Sequence, residues 1–178
     1  MRDIEGIEKV VARLKPHWAE IETHFHIENQ HFIALMERPH DVLGRLLKCH
    51  LIVEHYLDRF LKEHYGIEEV EEARLGFLNK AMLLPSKASS AAVVRPGIIK
   101  LNALRNRCGH NLTEEILFAD LGPISQVLEI ARSGARFATP IEAIEAFTPV
   151  ACTWLIIAPH DLQELFMDAF SEVRVSTS

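Results

Sequence analysis

The chain has 178 residues, 48% of them hydrophobic and 25% charged, with a formal net charge of −6 at pH 7. The hydrophobic and charged fractions predict one globular domain with a substantial core. The negative net charge excludes a surface that is basic throughout, so a site for a polyanion has to be a local basic pocket. The three cysteines, Cys49, Cys108 and Cys152, form no CxxC pair. They predict reduced thiols rather than disulfides or a zinc site.

The chain carries no pattern typical of export or membrane insertion. Its first residues, MRDIEGIEKVVARLK, lack the apolar stretch of a signal peptide. The longest apolar run, VACTWLIIA, is too short to span a bilayer. We therefore expect a soluble cytoplasmic protein with no membrane contact.

Helical spacing of apolar residues dominates the sequence, and strand-like alternation is absent. Pro16 and Pro39 end the first two segments, and Asp41 is suited to cap the third. In chain order we predict helices over 3–14, 17–37, 41–63, 71–84, 97–109 and 113–132, and then apolar helices from about 140 that Pro149 and Pro159 kink or split.

Loop and cap residues mark the boundaries between these helices. PSKASSAAVVRPG (85–97) predicts the clearest loop, because it is rich in proline and small residues. Gly109 is predicted as the C′ residue that ends a helix, and Thr113 as the cap of the next. SGARFATP predicts a second break, after which Thr139 and Glu142 could form a capping box around Pro140.

Short connections favour antiparallel neighbours. We predict an all-α protein whose core is an antiparallel four-helix bundle over about 41–132. An N-terminal helical extension (1–40) and a C-terminal one (133–178) are expected to pack outside that core within a single domain. The apolar surplus of the C-terminal part could also form a dimer interface.

Polar residues interrupt two of the apolar stripes. His50 and Glu54 lie one turn apart in the stripe of the helix over 41–63, and Arg105 lies at the margin of the stripe over 97–109. Because a buried charge is costly unless it is paired, we expect Glu54 to pair with Arg105 across two packed helices. Such a pair could be purely structural, or it could belong to a functional site.

His110 follows Gly109 and is expected to leave the helix. It could then fold back over the last turn towards Arg105, close to the N-terminus of the next helix. A guanidinium, an imidazole and a helix N-terminus together predict a phosphate pocket. The alternative is that His110 only caps the helix C-terminus.

The hexapeptide RNRCGH matches the R-N-x-x-x-H signature of the HEPN superfamily, with Arg105, Asn106 and His110 at the matching positions. Upstream, RLLKCHLIVEHYLDRFL resembles the long first core helix of that superfamily. ARLGFLNKAMLL, with Phe77 and Lys80, resembles its next helix. The chain is most similar to the mannitol operon repressor-like branch, and the resemblance covers roughly residues 41–132.

The resemblance implies a metal-independent endoribonuclease of the toxin or defence type, with no cofactor and a site formed across a homodimer. Its catalytic residues would be Arg105, Asn106 and His110, and Glu54, His50 and Lys80 would support them. RNA or a nucleotide would be the ligand, and an antitoxin or regulatory protein a further partner. The tyrosine that follows the histidine in antitoxin-regulated members is absent, which argues against that mode of regulation.

Two alternatives remain open. Some HEPN proteins, including the mannitol repressor-like branch, are non-catalytic modules that bind a nucleotide or a protein, and a role in transcription regulation would then go through a partner. A metal site is the other alternative, because His17, His24 and His31 recur every seven residues. That spacing differs from the i, i+4 spacing of helical zinc ligands, so we predict no metal ligand.

Overall fold

The computed structural model describes residues 6–37, 41–66, 74–111 and 114–175. In these ranges the regular structure is helical, apart from one isolated bridge between Lys87 and Arg174. The prediction of an all-α protein is therefore confirmed. The contacts group the chain into two units, residues 1–39 and 40–178, close to the predicted start of the core. Whether the chain acts as a single domain stays a prediction.

The first unit contains two helices. Helix α1 (Ile7–Leu14) leads through a 3-10 turn (Lys15–His17) into α2 (Trp18–Met36). Pro16 lies in that turn, and its ring ends α1 as predicted. The apolar side chains of α1 are exposed, with about half of Val11 accessible to solvent.

The second unit begins with α3 (Asp41–Tyr65), which matches the predicted third helix. The elements that follow are α4 (Phe77–Met82), α5 (Ser90–His110), a 3-10 turn (Phe118–Leu121), α6 (Gly122–Ala131), α7 (Pro140–Leu155), a second 3-10 turn (His160–Leu162) and α8 (Gln163–Ala169).

Helix α4 is shorter than predicted, and α5 is longer. Arg74 has a positive φ of 49° and Gly76 is extended, so α4 begins only at Phe77. The predicted loop over 85–97 is wrong from Ser90 onward. The Ser89 hydroxyl accepts a hydrogen bond from the Ala91 N–H at 3.2 Å and caps α5 there.

The predicted helix over 113–132 is also shorter in the structure. Residues 114–117 are non-helical and α6 begins at Gly122; Thr113, the predicted cap, lies outside the described residues. Helix α7 begins at Pro140 as predicted, but Glu142 accepts from the Ala138 N–H at 2.9 Å instead of closing a capping box with Thr139. Pro149 does not split α7.

The core of the second unit lies among α3, α5, α6 and α7. The expectation that residues beyond 132 pack outside the core is therefore wrong for α7. Its face carries Ile144, Phe147 and Leu155, which are buried almost completely against the other three helices. The apolar face of α7 is thus used inside the unit, whereas Leu165, Phe166 and Met167 further along remain exposed.

Within the described residues, no single helix combines the length and apolar character needed to cross a membrane. The pair α7 and α8, bent by 89°, meets these criteria by length and composition only.

Candidate functional site at the end of helix α5

The motif residues lie on the last two turns of α5. This helix continues through Gly109 to His110, and the Asn111 N–H closes it on the Arg107 carbonyl at 3.2 Å. Gly109 is therefore not the predicted C′ residue, and His110 does not leave the helix. On a continuous helix Asn106 and His110 lie one turn apart on one edge, whereas Arg105 and His110 are separated by roughly 140°.

Arg105 is half-buried, and Asn106 and His110 are exposed. The Arg105 Nη1 donates to Asn106 Oδ1 at 3.1 Å, which turns the guanidinium towards the edge that His110 shares. No ion pair joins Arg105 to a carboxylate in the described parts of the chain. The end of α5 thus carries a half-buried cation without an ion pair in the described ranges, together with an exposed amide and an exposed imidazole, which suits it to bind an anion.

The predicted pair between Glu54 and Arg105 is wrong, because Lys80 takes the carboxylate. The Lys80 Nζ lies 3.1 Å from Glu54 Oε1 and 2.7 Å from Asp58 Oδ1, and its side chain is only 8% exposed. Burial by itself would lower the pKa of Lys80, but the hydrogen bonds that Lys80 donates to Asp58 and Glu54 outweigh it and the net pKa is raised. Lys80 is thus held charged between α3 and α4.

Asp58 was not singled out from the sequence, although a signal for it existed. It lies one turn beyond Glu54, so that His50, Glu54 and Asp58 follow one another at steps of four along α3. Polar residues on three successive turns along one edge of an apolar stripe predict a buried polar network rather than a single pair.

His50 is buried at the other end of this polar edge. Its Nε2 lies 3.2 Å from Asn102 Oδ1, and its ring stacks on Phe77 with the centroids 3.9 Å apart. Burial lowers the pKa of His50 and outweighs the hydrogen bond to Asn102 and the negative charge of Glu54, which raise it; the positive charge of Arg105 adds a smaller lowering effect. His50 is therefore neutral near pH 7, with Nε2–H donating to Asn102 and a buried Nδ1 that has no hydrogen-bond partner among the described residues.

Arg107, the second arginine of RNRCGH, was given no role by the sequence. It forms a two-point ion pair with Asp120, at 2.9 Å and 2.7 Å, and contacts Glu114 at 3.1 Å. The Arg107 guanidinium and the Leu117 N–H hold the pKa of Asp120 well below its usual range. Arg107 thus ties the segment after α5 back onto that helix, and this segment borders the motif.

The described residues contain no group of three or more potential metal ligands. In the first unit, His17 Nδ1 lies 4.0 Å from Glu20 Oε2. The side chains of His24 and His31 lie outside the described residues.

No protein family model, curated protein or solved structure matches this chain. The resemblance to the HEPN superfamily therefore depends on the residues of the chain alone.

Proposed function

We propose that this chain is a metal-independent endoribonuclease of the HEPN type, acting as a homodimer, with Arg105, Asn106 and His110 as its reactive residues. One observation carries the proposal. The Arg105 guanidinium has no carboxylate partner among the described residues, and it bonds to the amide that shares a helix edge with the exposed His110. An arginine without a carboxylate partner in the described ranges, on the same last two turns of α5 as an accessible imidazole, suits a phosphodiester.

In this mechanism the RNA 2′-hydroxyl attacks the adjacent phosphorus. The O2′–P bond forms and the P–O5′ bond breaks, which leaves a 2′,3′-cyclic phosphate and a 5′-hydroxyl. The 2′-hydroxyl loses its proton and the leaving O5′ gains one; His110 carries out one of these transfers and water the other. Arg105 stabilises the added negative charge on the phosphorane, and Asn106 orients the phosphate or the imidazole.

Because α5 is continuous, Arg105 and His110 of one protomer lie far apart around the helix axis. Because Arg105 and His110 project from different sides of α5, one phosphate is reached most easily by the arginine of one protomer and the histidine of another. A HEPN-like bundle with the two α5 ends facing each other would provide this arrangement. The homodimer is therefore part of the proposal.

The buried polar network consists of His50, Glu54, Asp58, Lys80 and Asn102, and it supports the site by linking α3 to α4 and α5. His50 of α3 bonds to Asn102 of α5, three residues before Arg105, and Lys80 of α4 holds Glu54 on the same edge of α3. The first contact restrains the rotation of α5 relative to α3, and the second joins α3 to α4. The supporting roles proposed for Glu54, His50 and Lys80 thus become positioning roles.

The test is cleavage of a 5′-labelled single-stranded RNA by purified protein in excess EDTA. We expect cleavage with cyclic phosphate ends, and a loss of at least about 100-fold in both Arg105→Ala and His110→Ala, since a general acid–base group typically contributes that much or more. Arg136→Ala and His55→Ala change the same residue types at other exposed positions and should cleave like the parent. Equal activity of the parent and both site variants would contradict the proposal.

A binding module for RNA or another anion, with regulation through a partner, is the second candidate. It is favoured by the state of the supporting residues, because His50 is buried and neutral and Lys80 is committed to two carboxylates. Neither is free to act beside His110. In this case fluorescence anisotropy would show RNA binding that weakens in Arg105→Ala, with no cyclic phosphate product from the parent protein.

A further inference from the structure

A cleft of about 1010 Å³ lies beside α5, away from the polar network. Its walls come from one face of α5, from α6 and from the segment after α8. Most of its lining is apolar. The apolar side chains that define it are Pro96, Ile99, Val127, Ile130, Trp154 and Phe170.

The C-terminal wall of the cleft is fixed by backbone hydrogen bonds. The Ala88 N–H donates to the Val173 carbonyl at 3.0 Å, and the Val175 N–H donates to the Ser86 carbonyl at 3.1 Å. Phe170 packs edge-on against Trp154, with the ring centroids 6.1 Å apart. The cleft is thus closed by a segment held at two points, rather than by a free chain end.

The charges that line the cleft are mainly positive. They are Arg95, Lys100 and Arg174, against the single carboxylate of Glu172, in a chain whose net charge is −6. This local excess of cations on an acidic protein attracts anions.

Arg95 is the most informative of these residues, because it is only 7% exposed. Its Nε and Nη2 donate to the carbonyls of Ala81 and Met82 at 3.4 Å and 3.2 Å. No carboxylate in the described part of the chain lies within ion-pair distance of it. Burying a guanidinium against neutral carbonyls is costly unless an anion can approach it.

We propose that this cleft binds an amphipathic carboxylate, whose apolar body lies among Trp154, Phe170 and Ile130 and whose head group is held by the Arg95, Lys100 and Arg174 cations. The apolar lining selects the body, and the three cations together select the charge. This inference does not depend on the proposed ribonuclease function.

Decanoate is a suitable probe, and the fluorescence of Trp154 reports its binding. The second tryptophan, Trp18, lies in the first unit, so a Trp18→Phe background isolates the signal. We expect a saturable change with one decanoate per chain, checked by titration calorimetry. In this background, Lys100→Ala with Arg174→Ala should weaken binding about tenfold or more, since charge-assisted contacts are lost.

Three comparisons make the test specific. Arg132→Ala with Arg136→Ala removes two exposed cations outside the cleft and should bind like the parent. Decyltrimethylammonium, with the opposite charge, and adenosine monophosphate, an anion without an aliphatic body, should both bind much more weakly than decanoate. The proposal is overturned if decanoate gives no saturable signal, if the cleft double variant binds as tightly as the parent, or if either comparison ligand binds as tightly as decanoate.

Discussion

Single side chains decide how the polar network of the second unit is held, and Lys80 is its centre. Changing Lys80→Met would leave Glu54 and Asp58 facing each other without a cation. We expect the free energy of unfolding in urea to fall by about 3 kcal/mol, the lower end for breaking a buried pair, because both carboxylates are partly exposed.

Two variants control this prediction. Lys48→Met changes an exposed lysine on α3 and should alter stability by less than about 0.5 kcal/mol. Lys80→Met combined with Glu54→Gln and Asp58→Asn removes the unpaired charges and should recover part of the loss. If Lys80→Met is as stable as the parent, the network contributes nothing to the fold.

His50 gives the second residue-scale prediction, a dependence of stability on pH. Its pKa in the folded protein is lowered from the ordinary 6.5 by burial. The unfolded chain therefore binds a proton more readily below pH 6.5, and the contribution of His50 is fully present above that pH and lost as the pH falls towards the folded-state pKa.

We expect the stability difference between the parent and His50→Leu to change between pH 7 and pH 5 by up to about 1.4 kcal/mol per pH unit, to the disadvantage of the parent. Urea unfolding at several pH values measures this, and the other histidines cancel in the difference. A difference that stays constant over this range would show that His50 is not shifted.

Also at the residue scale, the sequence identified important positions but predicted the wrong ion-pair partner for one of them. His50 and Glu54 were recognised because they interrupt an apolar stripe, and both lie in the polar network. The partner predicted for Glu54 was Arg105, whereas the structure gives Lys80. Periodicity shows which edge of a helix is polar, but the rotation of three helices about their axes selects which cation reaches that edge.

The crossing of α5 and α7 provides a prediction at the scale of elements. A Cβ added at Gly97 would lie 2.6 Å from two ring atoms of Phe147, which is fully buried. Gly97→Ala should therefore destabilise the protein by about 1–3 kcal/mol through overpacking, although alanine is the better helix former.

Gly109 is the matched control, because it lies in the same helix with nothing within 4 Å of an added Cβ. Gly109→Ala should stabilise the protein by about 0.5–1 kcal/mol. Thermal unfolding of both variants measures the opposite signs. A stabilised Gly97→Ala would mean that the two helices can separate there at little cost.

The starts of α3 at Asp41 and of α7 at Pro140 followed from the sequence, although Asp41 is the first helical residue rather than the cap and Thr139 makes no side-chain capping bond. The start of α5 was predicted wrongly because a proline lies inside that helix. Pro96 suggested a loop, but α5 runs from Ser90 because Val94 and Ile98 are buried completely in the core. That burial offsets the single backbone hydrogen bond that the proline removes.

At the scale of the whole molecule, the rate at which the three cysteines are modified measures whether the second unit is folded. Cys49, Cys108 and Cys152 are all free and buried. Burial raises the pKa of all three thiols, and that of Cys152 to about 11. We expect a disulfide reagent at pH 8 to modify the thiols of the folded protein slowly, since the thiolate is the reactive form. In urea, where the chain is unfolded, it should modify all three thiols together. Fast modification of the folded protein would contradict this burial.

The sequence by itself determined the helical class, the buried positions of most helices and the motif at the end of α5, because periodicity, caps and residue chemistry are local properties. Tertiary structure alone decided that α7 enters the core, that Lys80 rather than Arg105 neutralises Glu54, and that Arg95 lines a cleft closed by the segment after α8. These features depend on how distant helices rotate and pack against one another, and no local pattern in the chain records that choice.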